Sequence, residues 1–135
     1  MTEEAPRALG HLVAAWIAVA FTMLVLDLLW LGVVATSLYD ALGALRASPP
    51  YWPAAALFYA FYVAAIMFYT VLPATSVKDA WRRGAHLGFV AYTTYELTNW
   101  AVITGWPSEI VLIDIVWGIA LTGLVAAAGR RVLQW

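Results

Sequence analysis

The chain has 135 residues, 64% of them hydrophobic and only 11% charged, with a net charge of −1 and no cysteine; its mean hydropathy is +0.83. A water-soluble domain of this size must still turn roughly a third of its surface to solvent, so such a composition excludes one, whereas a bundle in lipid is free to be apolar outside. Without cysteine there is no disulfide, thiolate metal site or thiol nucleophile, and no basic block points to nucleic acid.

A helix needs about 20 mainly apolar residues to cross the hydrocarbon core. Four stretches qualify, at residues 9–35, 53–72, 85–104 and 109–129. The first is too long for the apolar core of a signal peptide, and we read it as a permanent helix. After it, Leu38, Ala41, Leu42 and Leu45 share a helical face, so residues 37–46 read equally well as a short interfacial helix or as a polar loop. Pro49, Pro50 and Pro53 lead into the second stretch and Pro73 stops it. Gly105, Trp106, Pro107 and Ser108 make a tight turn, so the third and fourth stretches form an antiparallel hairpin. The expected fold is therefore all-α, with residues 1–135 forming one four-span membrane bundle.

Orientation follows from Lys and Arg in short loops. Arg7, Lys78, Arg82, Arg83, Arg130 and Arg131 fall on one side and Arg46 alone on the other. The crowded side is expected to be cytoplasmic, with both termini there. Tryptophans agree: Trp52 and Trp106 mark the outer interface, Trp81 and Trp135 the inner one.

Asp27, Glu96, Asn99 and Asp114 all fall inside the apolar stretches. A carboxylate at mid-membrane costs about 3 kcal/mol on insertion scales, so such residues are functional candidates by default. At 1.5 Å per residue they lie in the outer half, within about 5–8 Å of one another in depth. Tyr92, Tyr95, Glu96 and Asn99 form one stripe on the third helix. Asp27 shares a face with Trp30, Asp114 with Trp117, and Tyr59, Tyr62, Ile66 and Tyr69 align on the second helix. Together they describe an acidic, aromatic-lined pocket with no internal base, in which three carboxylates cannot all be ionised. Either some are protonated at neutral pH, or water reaches them, or a cation compensates them; Arg46, the one base on that side, is a candidate partner if it folds back. The plainer reading is that these groups only hold helices together by hydrogen bonds.

His11 and His86 stand at similar depth near the inner face, where paired histidines hold a haem or bacteriochlorophyll, or more often meet headgroups and water. The Asp-x-x-Trp spacing of Asp27–Trp30 recurs at Asp114–Trp117, an inverted repeat or a coincidence in a chain with eight tryptophans. Ala14 and Ala18, or Gly84 and Gly88, offer close contacts for helix packing or dimerisation.

Leu26-Asp27-Leu28-Leu29-Trp30-Leu31-Gly32, Tyr95-Glu96-Leu97-Thr98-Asn99, Gly105-Trp106-Pro107 and Asp114-Ile115-Val116-Trp117-Gly118 resemble, in that order, the bacterial inner-membrane proteins of domain-of-unknown-function family 2177. The resemblance covers nearly the whole chain, although that family usually carries Asp where this chain has Glu96. It implies four spans in a bacterial inner membrane and no established activity. The expectation from the residues is a pocket for a proton, a cation or a small amphipathic ligand, in transport or sensing. The alternative is an accessory subunit of a larger pigment or redox complex, or a homo-oligomer. An enzyme acting on a lipid or isoprenoid ranks third, because no nucleophile or metal pattern is present. No cofactor is expected beyond the haem or bacteriochlorophyll reading of the two histidines.

Overall fold

In the computed structural model, which describes residues 4–47 and 49–135, long helices run antiparallel to their neighbours in sequence. Helix α1 (Glu4–Leu29) continues through a π-helical turn (Trp30–Val34), closed by the Ala35 N–H on the Trp30 carbonyl at 2.7 Å. The segment after it is helical rather than a loop: α2 (Thr36–Asp40) is followed by a 3₁₀ turn at Gly43–Leu45, where Gly43 takes φ 53°. Helix α3 (Trp52–Ile66) starts with Pro53 in its first turn and ends in a second π turn (Met67–Val71). Helices α4 (Val77–Val102) and α5 (Ser108–Leu133) complete the chain. We call the end bearing α2 and the α4–α5 turn the α2 end.

Three of these helices are long and apolar enough to cross a membrane: Arg7–Val34, Trp52–Val71 and Ser108–Leu133. Helix α4 has the length, 26 residues, but lower hydropathy, because Lys78, Arg82 and Arg83 crowd its start and Tyr92, Glu96 and Asn99 its end. It begins earlier than its apolar stretch because Ser76 caps it, its Oγ accepting the Asp79 N–H at 3.0 Å. Asp79 in turn accepts the Thr75 N–H at 2.9 Å and the Arg83 Nε–H at 3.0 Å. That backbone bond first, and Arg83 second, hold its exposed carboxyl below the usual range.

The closest seam lies between α4 and α5. Gly84 and Gly88 face the backbone of Thr122 and Gly118, and the Gly118 surface is covered by the Tyr92 ring. The small-residue pair expected for packing or dimerisation is thus used inside the chain. At the loop Gly105 adopts φ 80°, a conformation glycine takes without a Cβ clash, and Pro107 turns the chain into α5.

Helix α1 packs on the other side of α5, and α3 joins through its second half. Val19, Met23, Ile66, Met67, Leu121 and Val125 are fully buried in the resulting core. In lipid such packing gains little from the hydrophobic effect and rests on close van der Waals contact, which explains the stripe of small residues on α5. Gly129 fits against Val19 and Val71, and Gly123 lies under Trp81. Arg130 donates from Nη1 to the Val71 carbonyl at 3.2 Å, taking up an acceptor at the end of α3.

The second π turn overturns one expectation. Tyr69 does not continue the Tyr59–Tyr62–Ile66 face but is exposed, and Thr70 is buried there instead, bonding back to the Ile66 carbonyl at 2.5 Å. A π turn closes on the fifth residue rather than the fourth, so the helix face returns one residue later.

Candidate functional site: an aromatic cavity with two carboxylates

The first half of α3 is loosely held: Trp52, Leu57, Phe58 and Phe61 are all exposed. Between it and α1, α4 and α5, toward the α2 end, lies a cavity of about 530 Å³. That volume is within the range of about 300–1,000 Å³ of small-molecule sites.

Each helix contributes to its wall. Helix α1 supplies Asp27 and Trp30, α3 supplies Tyr59 and Tyr62, α4 supplies Tyr92 and Tyr95, and α5 supplies Asp114 and Trp117. Asp27, 7% exposed, accepts one hydrogen bond at 2.8 Å from the Tyr59 hydroxyl, with Trp117 beside it. Asp114, 5% exposed, accepts a long one at 3.4 Å from Tyr39 of α2. The Tyr62 and Thr122 hydroxyls share a hydrogen bond of 2.6 Å, tying α3 to α5 below the cavity.

The repeated Asp-x-x-Trp spacing acquires a geometry. The Trp30 and Trp117 rings stack with centroids 4.4 Å apart and planes inclined by 4°. Because α1 and α5 are antiparallel, Asp27 lies one turn to one side of this pair and Asp114 one turn to the other. Three residues rise about 4.5 Å, so the two carboxylates bracket the indoles along the bundle axis.

Two residues expected in the pocket, Glu96 and Asn99, do not line the cavity. Four residues of helix turn Glu96 about 40° from Tyr92, toward α5 and the loop. There it is 1% exposed, beside Asp114, and accepts the Trp106 indole N–H at 2.9 Å. Asn99 lies about 10 Å above Tyr92 along the axis, past the cavity wall. The expected meeting of Glu96 with both aspartates is therefore halved: it neighbours Asp114, while Asp27 stands across the tryptophan pair. Among the described residues no three His, Asp or Glu side chains form a metal-ligand group.

Arg46 does not reach the acids. It pairs with Asp40 at 3.1 Å on the exposed side of the α2 segment, an ion pair only six residues apart in sequence and available without desolvation. His11 is half-buried on α1 and His86 exposed on α4, and neither lines the cavity. Residues that sequence reasoning passed over include Tyr39, whose phenol lay among leucines of an assumed surface segment, and Phe58, Phe61 and Ala91 of the wall. Trp106, a turn residue and interface marker in the sequence, also donates its indole N–H to a buried acid.

Long apolar helices around a partly polar cavity define a helical integral membrane protein. The chain belongs to the family described as predicted membrane protein, DUF2177, whose model matches residues 12–131. No curated protein and no solved structure matches it.

Proposed function

We propose that this is a four-span protein of a bacterial inner membrane, with both termini cytoplasmic and the α2 end outward, whose cavity binds a small amphipathic molecule in transport or sensing. The cavity carries the reading: four helices converge on one volume walled by aromatic rings and carrying carboxylates at two levels. A membrane bundle that needed polar side chains only for cohesion would pack them closed, as Tyr62 and Thr122 do.

The burial pattern supports α4 as the fourth span. The one carboxylate of its apolar stretch, Glu96, is turned inward, while Phe89, Val90, Leu97 and Val102 are exposed on its outer side. Its mean hydropathy is lowered by the exposed bases at its start, Lys78, Arg82 and Arg83, together with the buried Glu96. Orientation rests on the one-sided distribution of Lys and Arg.

Reporter fusions after Trp135 and within residues 78–83 should read cytoplasmic, and one between Arg46 and Pro49 periplasmic; a periplasmic C-terminus would sink the orientation. For the ligand, the test is the mass and identity of what copurifies in mild, non-ionic detergent. A stoichiometric small molecule supports the reading. A stoichiometric protein partner with no small molecule favours the accessory-subunit alternative.

A further inference from the structure

We propose that the cavity selects organic cations, molecules that carry an ammonium or similar positive centre on an apolar, preferably aromatic body. This rests on the reading of the cavity as a ligand site and adds the chemistry of what enters it.

Four observations lead there. Asp27 and Asp114 line the wall, and no Lys, Arg or His does among the described residues. Arg46, Arg83 and Arg130 are engaged elsewhere, on Asp40, Asp79 and the Val71 carbonyl. An internal counter-ion is thus missing from the wall itself.

Asp27, 7% exposed, is approached by two donors, the Tyr59 hydroxyl at 2.8 Å and the Trp117 indole, where a carboxylate has room for about four. A buried, under-satisfied carboxylate is costly unless a partner arrives. The rest of the wall is what a weakly hydrated cation meets well. Phe58, Tyr62, Tyr92 and Trp117 surround the acids, and aromatic faces attract positive charge strongly once water is excluded.

The arrangement also argues against other ligand classes. A metal ion needs several hard ligands converging on one point, and the two aspartates bracket the tryptophan pair instead. An anion would find two carboxylates and no cationic donor. A neutral lipid tail would fill the aromatic space and leave Asp27 unanswered. A positive centre placed beside Asp27, with its apolar body along Phe58 and Phe61, meets both the acid and the rings of the wall.

The test uses tetraphenylphosphonium and tetraphenylborate, which match in bulk, and neutral tetraphenylmethane, which keeps the same four phenyl groups. Binding to the full chain in non-ionic detergent is read by quenching of tryptophan fluorescence and by calorimetry. The cation should bind at least about tenfold more tightly than the neutral probe, and the anion not at all, as expected for a desolvated charge pair. Asp27→Asn keeps an acceptor for Tyr59 and should remove most of that preference, while helix content and melting temperature stay near the wild type. Asp114→Asn, at the other level, should weaken the cation by a smaller factor. Equal binding of cation and neutral probe, unchanged in Asp27→Asn, would overturn cation selection and leave the ligand cavity standing. Binding of none of the three would overturn both readings.

Discussion

The two sides of the bundle are built on opposite rules. Along the α4–α5 seam Gly84, Gly88 and Gly118 remove side chains so that backbones meet, and the polar groups there, Glu96 and Thr122, each find a partner. Across from it, the first half of α3 presents Phe58, Tyr59 and Phe61 along a cavity and makes little contact with the other helices. In a bilayer both are stable, because an apolar side chain loses little by facing lipid instead of protein. What separates them is tolerance: the seam is closed to any added atom, while the open side is defined by what its few polar groups lack.

The largest expected effect comes from the seam. A Cβ at Gly88 would run into the Gly118 backbone, which cannot yield as a side chain can. Gly88→Val should cost about 3 kcal/mol or more of stability, read as a melting shift in detergent or as failure to accumulate. Wild-type stability in that variant would mean that α4 and α5 are not in close contact. Next, Trp106→Phe keeps an aromatic ring, smaller than the indole, but removes the N–H that Glu96, only 1% exposed, accepts. A loss of about 1–3 kcal/mol is expected, in thermal or denaturant unfolding.

On the open side, the choice of substitution at Asp27 matters more than its size. Asp27→Leu strands the Tyr59 hydroxyl and should cost about 1–2 kcal/mol, while Asp27→Asn retains the acceptor and should cost under about 1 kcal/mol. Equal losses in the two would show that the hydrogen bond to Tyr59 is not what Asp27 provides. The smallest effect is expected at Phe61, 74% exposed. Phe61→Ala should change stability by no more than about 0.5 kcal/mol. Removing a whole ring there would then cost less than adding an isopropyl group at Gly88, which is the contrast between the two sides at its sharpest.

The elements were readable because lipid imposes a strong rule on sequence: long apolar stretches, broken by Pro49, Pro50, Pro53 and Pro73 and by the Gly105–Pro107 turn, leave few alternatives. Faces were readable as far as helices stayed regular. Tyr59, Tyr62, Tyr92 and Tyr95 fall on the cavity wall as spacing implies, but Tyr69 does not, because a π turn has no marker in these residues. The extension of α4 back to Val77 depends on a single cap at Ser76 beneath a run of charge. Partners across the bundle were the least legible. Asp27 with Tyr59, Glu96 with Trp106 and Trp30 on Trp117 depend on helix rotations of tens of degrees, which periodicity does not set. The Asp-x-x-Trp repeat gave a visible signal, and only the antiparallel placement of α1 and α5 turns it into a stacked pair between two acids.

The most direct measurement of an open side facing a closed one uses the absence of cysteine from the chain. Ala91 lines the cavity, whereas Ala15 is fully buried in the core. Single Ala91→Cys and Ala15→Cys variants in native membranes would be treated with N-ethylmaleimide and the labelled fraction followed in time by mass. The Ala91→Cys thiol should react and be protected by tetraphenylphosphonium, and the Ala15→Cys thiol should stay unreacted over the same interval. Equal, slow reaction at both positions, or labelling at Ala91→Cys that no probe slows, would contradict a ligand-accessible cavity between α3 and the rest of the bundle.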